Sequence, residues 1–260
     1  MAIVTFMSDF GTEDHYVAAV KARLLGINPN LSIVDITHQL PTSDVGQAAY
    51  TLKQIFRDFP PGTVHLCGIE NHTDTATKLV AIKLEEYYFV GENNGLFSLV
   101  SDQKPTAVVA LNELNPIQST FHAKDILAPT AAALASGQNI HEMGPNLEQM
   151  HTLLGRQLKV TKREISGNVV RVDHYGNLIT NIDKQSFDTI RKLNGEKAFE
   201  VCFGRERTAR IHQKYGEVES GEYFVIFNSN GYLQIGINKG KASELMGIHH
   251  DAPIIINFQL

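Results

Sequence analysis

The sequence has no tryptophan, only two cysteines, and no apolar run near the roughly 18 residues that a membrane-spanning helix needs. Cys67 and Cys202 lie far apart inside apolar runs, so we predict two buried free thiols rather than a disulfide or a catalytic thiol. The first residues do not combine a charged segment with a following apolar one, unlike a secretory leader. These absences favour a cytoplasmic protein that does not contact a membrane.

The chain also lacks an excess of basic residues. It has 23 Lys and Arg and 28 Asp and Glu, which gives a formal net charge of −5. Nucleic acid is therefore not an expected partner. No GxGxxG pattern follows the first apolar run, and no GxSxG pattern supplies the nucleophile of a serine hydrolase. With 43% hydrophobic and 20% charged residues among 260, the composition is that of an ordinary globular protein.

The hydrophobic pattern changes near residue 160. Before it, apolar runs typical of strands alternate with segments of helical spacing, which predicts an α/β domain with a mainly parallel sheet over residues 1–160. The alanine-rich stretch Asp125–Gly137 predicts one of these helices, ending at a glycine cap. After it, short strand-like runs and the two-residue hairpin signal Asn230-Gly231 predict a smaller antiparallel, barrel-like β domain over residues 161–260.

Several polar residues of the first half follow predicted strands or precede a helix. Asp9 ends the first strand, where its carboxylate could accept hydrogen bonds from two vicinal hydroxyls of a ribose, or cap a helix. Glu70 and His72 follow another strand, although a lone glutamate there is typical of a solvated loop. His122 precedes a helix whose positive end favours a neutral imidazole, which fits a general base as well as a structural histidine.

In the second half, Asp173, Tyr175 and Asn177 alternate along the chain. An extended backbone would place all three on one face, offering an acceptor for an ammonium group, a ring for stacking and an amide for a purine edge. The alternative is a plain turn, because Asp, Gly and Asn are common in turns. Ser229 lies at the predicted hairpin tip. We predict no metal site, since His249-His250-Asp251 lacks the spacing of a known zinc site.

Four segments together resemble a known family. SDFGTEDHYVAAVKA, FHAKDILAPTAAALASG, VDHYGNLITNI and NSNGYLQIGINKGKASELMG are similar, in this order, to motifs of the S-adenosyl-L-methionine hydroxide adenosyltransferases. These adenosine-forming hydrolases are related to the fluorinase and the chlorinase. The resemblance implies an N-terminal α/β domain, a C-terminal β domain and a homotrimer with its active sites at subunit interfaces. It also implies S-adenosyl-L-methionine as a small-molecule substrate, without a metal or organic cofactor.

The resemblance also implies roles for single residues. It assigns substrate binding to Asp9 (ribose hydroxyls), Thr73, Phe121, Asp173 (methionine ammonium), Tyr175 and Asn177 (adenine), Tyr215 (a second ring) and Ser229 (the methionine end). His122 matches the histidine that places the attacking water. Ala123 falls where the fluorinase has a halide-binding serine, and a methyl group gives a halide no hydrogen bond, which favours water as the nucleophile.

The segment expected to surround that water departs from the family pattern. Family hydrolases carry VDPGVG followed by two arginines, whereas here Glu70 falls on the aspartate, Thr77 on the first arginine and Lys78 on the second. The family's PDNG has become Glu92-Asn93-Asn94-Gly95. The predicted catalytic set is therefore His122, Glu70, Lys78 and His72.

The predicted reaction is hydrolysis of S-adenosyl-L-methionine to adenosine and L-methionine at C5′. Three alternatives stay open: a catalytically weak or inactive binder of S-adenosyl-L-methionine or adenosine, a halogenase acting on the same carbon, and a hydrolase of an unrelated nucleoside. The altered water segment favours the binder among them, while Ala123 disfavours the halogenase.

Overall fold

The computed structural model describes residues 2–69, 78–114 and 116–258. The chain forms two compact units, residues 1–155 and 156–260. A core of its own lies in each unit. In the described part of the chain, no helix has the length and apolar character to cross a membrane.

The first unit is built on a mainly parallel sheet. Among its described residues, six strands pair in the order β2-β1-β3-β5-β4-β6. β1, β2, β3 and β5 run parallel, while β4 pairs antiparallel with β5 and β6. The strands are β1 Ile3–Ser8, β2 Ser32–Thr37, β3 Val64–Gly68, β4 Leu79–Leu84, β5 Tyr87–Glu92 and β6 Ala107–Ala110. The predicted α/β fold is confirmed.

Helices cover both faces of this sheet: α1 Tyr16–Ile27, α2 Val45–Ile55, α3 Leu96–Val100 and α4 Ala128–Ala135. Side chains alternate along a strand, so Val4 and Phe6 of β1 pack in the core with α1 and α4, while Met7 packs in the core with α2 and α3. Asp44 caps α2 by accepting a hydrogen bond from the Gln47 N–H at 2.9 Å.

The entry into α4 differs from the predicted helix, which was to begin at Asp125. Residues 123–127 form a π-helical turn, in which the Ala128 N–H donates to the Ala123 carbonyl. Pro129 has no N–H to give the Asp125 carbonyl and its ring would clash with that carbonyl in a regular α-helix, so we attribute the widened turn to Pro129. Such turns are frequent at functional sites, and His122 is the residue immediately before this one.

The second unit is an antiparallel sheet curled into half a barrel. Within its described part the strands pair in the order β11-β10-β14-β8-β9-β13-β12, with β7 beside β8. They are β7 Lys159–Val160, β8 Glu164–Val172, β9 Leu178–Asp183, β10 Phe199–Phe203, β11 Glu206–Thr208, β12 Tyr223–Phe227, β13 Tyr232–Ile237 and β14 Pro253–Phe258. The helices are α5 Lys184–Leu193 and α6 Ala242–Met246. Four residues, 228–231, separate β12 from β13, where two were predicted.

The two cysteines are free, as predicted. Cys67 is buried in β3, and burial raises the pKa of its thiol, so it is inert. Cys202 was predicted to be buried as well, but it is partly exposed, because alternate residues of β10 face away from the core.

Candidate active site

Asp9 lies in a tight turn at the carboxyl end of β1. One of its carboxylate oxygens accepts a hydrogen bond from the backbone N–H of Ser43 at 2.8 Å. The Gly11 N–H donates to the His38 carbonyl at 2.8 Å, and Gly11 has a φ of +73°, which favours glycine. Asp9 does not cap α1, whose N-cap position is His15. The carboxylate is therefore fixed by a distant segment of the same unit.

Aromatic rings gather beside this turn. Phe121 lies edge-on to Phe10 and to Tyr16, with centroids 5.6 and 5.3 Å away. The ring of Phe10 covers Gly68 so closely that an added Cβ would come within 2.9 Å of it. The structure thus brings two predicted residues, Asp9 and Phe121, to the same end of the sheet, which is where ligands bind in open α/β folds.

His122 follows Phe121 directly and is half-buried. The segment around it is held by its own hydrogen bonds: Ser119 accepts from the Phe121 N–H and donates to Asp125, both at 2.8 Å. The bond from Ser119 lowers the pKa of Asp125 below its usual value of 3.8. The next residue, Ala123, is buried. His122 is therefore positioned by a short, internally bonded turn at the start of the helix.

Three predicted site residues, Glu70, His72 and Thr73, lie outside the described residues. The chain on either side is anchored by the altered PDNG segment. The Asn94 side chain donates to the Ile69 carbonyl at 3.0 Å, and the Asn93 N–H donates to the Lys78 carbonyl at 2.8 Å. The ammonium group of Lys78 pairs with Glu113 at 3.1 Å, and both side chains are about half exposed.

In the second unit, residues 173–177 form a turn, so the extended arrangement considered from the sequence is wrong. The two carboxylate oxygens of Asp173 accept from the backbone N–H and the side-chain amide of Asn177, each at 2.9 Å. Gly176 has a φ of +77°, and a Cβ there would lie 2.6 Å from the Cβ of Lys241. These local hydrogen bonds stabilise the turn and compete with an extended strand.

A cavity of about 420 Å³ opens beside this turn. The residues that line it are His174, Tyr175, Asn177, Tyr215, Phe224 and the segment 237–241. Tyr175 is 74% exposed and Tyr215 is 53% exposed, while Asn177 is buried. Tyr215 lies edge-on to Phe224 at 5.1 Å. Exposed rings beside a buried amide suit a flat, hydrogen-bonding ligand such as a purine.

The structure does not bring every predicted residue of this unit to the cavity. Asp173 adjoins the cavity through the turn but does not line it. Ser229 lies in the loop that joins β12 to β13, whereas the residues of that hairpin that line the cavity lie at its other end. The Ser229 hydroxyl bonds to Asn230 at 3.4 Å.

Sequence reasoning missed His174, Phe224 and the segment 237–241 as lining residues. The available signal was position: His174 lies inside a quoted motif, and Lys239 follows a strand as Asp9 does. Among the described residues, no group of three or more His, Cys, Asp or Glu could hold a metal ion.

Comparison with known proteins covers both units. The chain matches the family models for the SAM hydroxide adenosyltransferase N-terminal domain over residues 4–144 and C-terminal domain over residues 167–255. It is 32% identical to the (R)-S-adenosyl-L-methionine hydrolase of Thermus thermophilus, across 98% of this chain and 99% of that protein. It is 29% identical to a fluorinase of an Actinoplanes species, with 91% of each chain covered.

A solved structure is also similar. The crystal structure of an uncharacterized conserved protein from Thermotoga maritima matches with a TM-score of 0.88 and 32% identity, across 98% of this chain and 99% of the other. Because family models match both units and this fold similarity spans nearly the whole chain, the protein belongs to the SAM hydroxide adenosyltransferase family.

Proposed function

We propose that this protein hydrolyses S-adenosyl-L-methionine to adenosine and L-methionine, by attack of water or hydroxide at C5′. The observation that carries the proposal is similarity to a hydrolase named for this reaction over 98% of the chain, so that both units are included. The geometry agrees with it: one unit presents a fixed carboxylate at a strand end, and the other a cavity with exposed rings and a buried amide.

The proposed binding roles follow the family assignments. Asp9 binds the ribose hydroxyls, and Phe121 packs beside them. Asn177, Tyr175 and Tyr215 hold adenine. Asp173 and Ser229 bind the methionine end of the substrate. Thr73 is a further substrate-binding residue.

The chemistry needs positioning more than acid catalysis. The C5′–O bond forms as the C5′–S bond breaks, and the sulfur leaves with the bonding electrons as the neutral thioether of methionine. A sulfonium needs no proton to leave, so the protein's task is to hold water in line with the C–S bond. We propose that His122 accepts the proton of that water as a general base. Glu70 and His72 would orient it, with Lys78 in place of an arginine. The reaction requires no metal or organic cofactor.

Water is favoured over halide by the residue after His122. Ala123 is 1% exposed and its methyl group offers no hydrogen bond, so a desolvated halide at that position would lose hydration without compensation. Halogenation is therefore the less favoured reaction at the same carbon.

A second candidate function is that of a weak or inactive binder of S-adenosyl-L-methionine or adenosine. The ion pair between Lys78 and Glu113 supports it, because the cation that could replace the family arginine already has a partner. In that case the ligand would bind at the same residues without being cleaved.

We also propose a homotrimer in the cytoplasm. Four large apolar side chains on α1 and β2 are each at least 40% exposed: Tyr16, Leu25, Ile27 and Val34. β2 is also an edge strand of a largely parallel sheet, and such strands are normally covered. Packing between copies of the chain would cover this surface.

The first test is chromatography of purified protein incubated with S-adenosyl-L-methionine, with and without chloride. Equal amounts of adenosine and methionine, abolished by Asp9→Ala, are expected. Intact substrate together with a ligand-induced rise in melting temperature would instead identify the binder, and chloride-dependent 5′-chloro-5′-deoxyadenosine would identify the halogenase.

The role of His122 has its own test. His122→Ala should reduce the rate of adenosine release at least 100-fold, within the range typical of a lost general base. Adenosine affinity should be nearly unchanged. Unchanged release would contradict the role of His122 while leaving the binding assignments intact.

A further inference from the structure

A buried polar array lies directly beneath the Asp9 turn. The hydroxyl of Ser8, the last residue of β1, is 2.7 Å from Nδ1 of His38, which follows β2. Both residues are buried, at 0% and 6% exposure. On the other side of the imidazole, a carboxylate oxygen of Asp35 lies 3.2 Å from Nε2. Asp35 in turn pairs with Lys21 at 2.5 Å.

The charges in this array favour one direction for the hydrogen bond between Ser8 and His38. Burial alone would raise the pKa of Asp35, but the hydrogen bond from Lys21 and the neighbouring His38 outweigh it and lower the pKa below 3.8. The ionised carboxylate lies 3.2 Å from Nε2, close enough to favour a proton on that nitrogen, although the two groups do not form a regular hydrogen bond. In a neutral ring with its proton on Nε2, Nδ1 accepts from the Ser8 hydroxyl.

His38 contacts the Asp9 turn at two points. Its ring bonds Ser8 at the start of the turn, and its carbonyl accepts from the Gly11 N–H at the end, at 2.8 Å. The Ser8 oxygen also accepts from the Phe10 N–H at 3.4 Å. Asp9 lies between these contacts, so His38 restrains the backbone from which its carboxylate projects.

The order Ser, His, Asp is that of a hydrolytic triad, but the array cannot act as one. The Ser8 hydroxyl has no exposed surface, so no substrate can reach it. We infer that His38 is a positioning residue, which holds Asp9 in the orientation that selects nucleosides with intact ribose hydroxyls. This inference rests on the proposed role of Asp9 in the same site.

The same strand supplies a matched control. Thr5, three residues before Ser8, bonds through its hydroxyl to Nδ1 of His65, also at 2.7 Å. Both partners are fully buried, and His65 packs among Phe56, Tyr87 and Phe89. This second hydroxyl–imidazole pair joins β1 to β3 within the strands, and no side-chain hydrogen bond among the described residues links either partner to the Asp9 turn.

The experiment compares the affinities for adenosine and 2′,3′-dideoxyadenosine by calorimetry, using the full chain. The preference for adenosine should fall about tenfold in His38→Leu, since a hydrogen bond to a charged group is weakened. A smaller fall is expected in Ser8→Ala. His38→Asn keeps an acceptor near the Nδ1 position and should restore most of the preference. His65→Leu should lower the melting temperature and leave the preference unchanged.

The outcomes separate this inference from the proposed function. An unchanged preference in both His38→Leu and Ser8→Ala, or an equal fall in His65→Leu, would overturn it even if S-adenosyl-L-methionine is hydrolysed. If the wild-type protein binds adenosine better than 2′,3′-dideoxyadenosine but releases no adenosine from S-adenosyl-L-methionine, the hydrolase proposal is contradicted. The variants still test the role of His38 in that case. A wild-type protein without any preference would overturn both the role of Asp9 and that of His38. If His38→Leu does not fold, Ser8→Ala decides.

Discussion

The two units each present an aspartate in a glycine turn, yet the two turns are held in opposite ways. Asp9 accepts a hydrogen bond from Ser43, 34 residues away, whereas both oxygens of Asp173 accept hydrogen bonds from Asn177, four residues away. The first turn therefore depends on the packing of the parallel sheet, and the second is complete in itself. A carboxylate fixed by long-range contacts suits selection of a rigid group, while a self-contained turn leaves its rings exposed to a ligand.

The largest difference in stability between the two units is expected at acidic pH, because the first unit buries a neutral imidazole. Burial lowers the pKa of His65 from 6.5 to about 3. Between these values the unfolded chain binds a proton that the folded one does not, so stability falls as the pH drops below 6.5, by about 1.4 kcal/mol per pH unit. Urea unfolding at pH 6.5 and 5.0 should differ by about 2 kcal/mol, with the first unit becoming protease-sensitive before the second.

A double variant isolates this effect. Thr5→Val with His65→Leu removes both buried partners and should flatten the dependence on pH. An equal loss of stability in the double variant, or earlier proteolysis of the second unit, would contradict the assignment to His65.

What could be predicted from the sequence follows the same division between local and distant contacts. Strand and helix patterns are local, and they predicted the α/β unit and the β unit. The Asp173 turn was one of two local possibilities, and it is the one that forms. The array of Ser8, Asp35 and His38 could not be predicted, because Ser8 and His38 are 30 residues apart and meet only when β1 pairs with β2. The π-turn before Pro129 was missed because helical spacing does not separate α- from π-helices.

A second substitution, Gly236→Ala, should disturb the cavity of the second unit and leave the Asp9 turn unchanged. A Cβ at Gly236 would lie 2.3 Å from the Asn177 amide oxygen and 2.2 Å from the Phe224 ring. Gly236→Ala should therefore cost about 1–3 kcal/mol of stability and weaken adenosine binding. Its preference over 2′,3′-dideoxyadenosine should remain. Gly216→Ala, where a Cβ meets no atom within 4 Å, is the matched control. A lost preference in Gly236→Ala would show that the two turns are not independent.

The third prediction concerns the exposed ring of that cavity. Tyr175→Ala should weaken adenosine binding about tenfold, since a stacked base contributes about 1–3 kcal/mol. Because the ring is 74% exposed, the free energy of unfolding should change by less than about 0.5 kcal/mol. Tyr175→Phe retains the ring and should bind as the wild type does. Calorimetry and urea unfolding measure the two quantities, and a large loss of stability without a loss of affinity would assign the ring a structural role.

The smallest effect on stability is expected for an exposed ion pair of the first unit. The pair of Lys78 and Glu113 is about half exposed, so Lys78→Met and Glu113→Gln should each change the free energy of unfolding by less than about 1 kcal/mol. Both variants lose the ion pair, but only Lys78→Met loses the cation proposed to stand in for an arginine. Adenosine release should therefore fall in Lys78→Met and persist in Glu113→Gln. Equal release from both would mean that no cation at residue 78 assists the attack, and that the water depends on His122 and on the segment after β3.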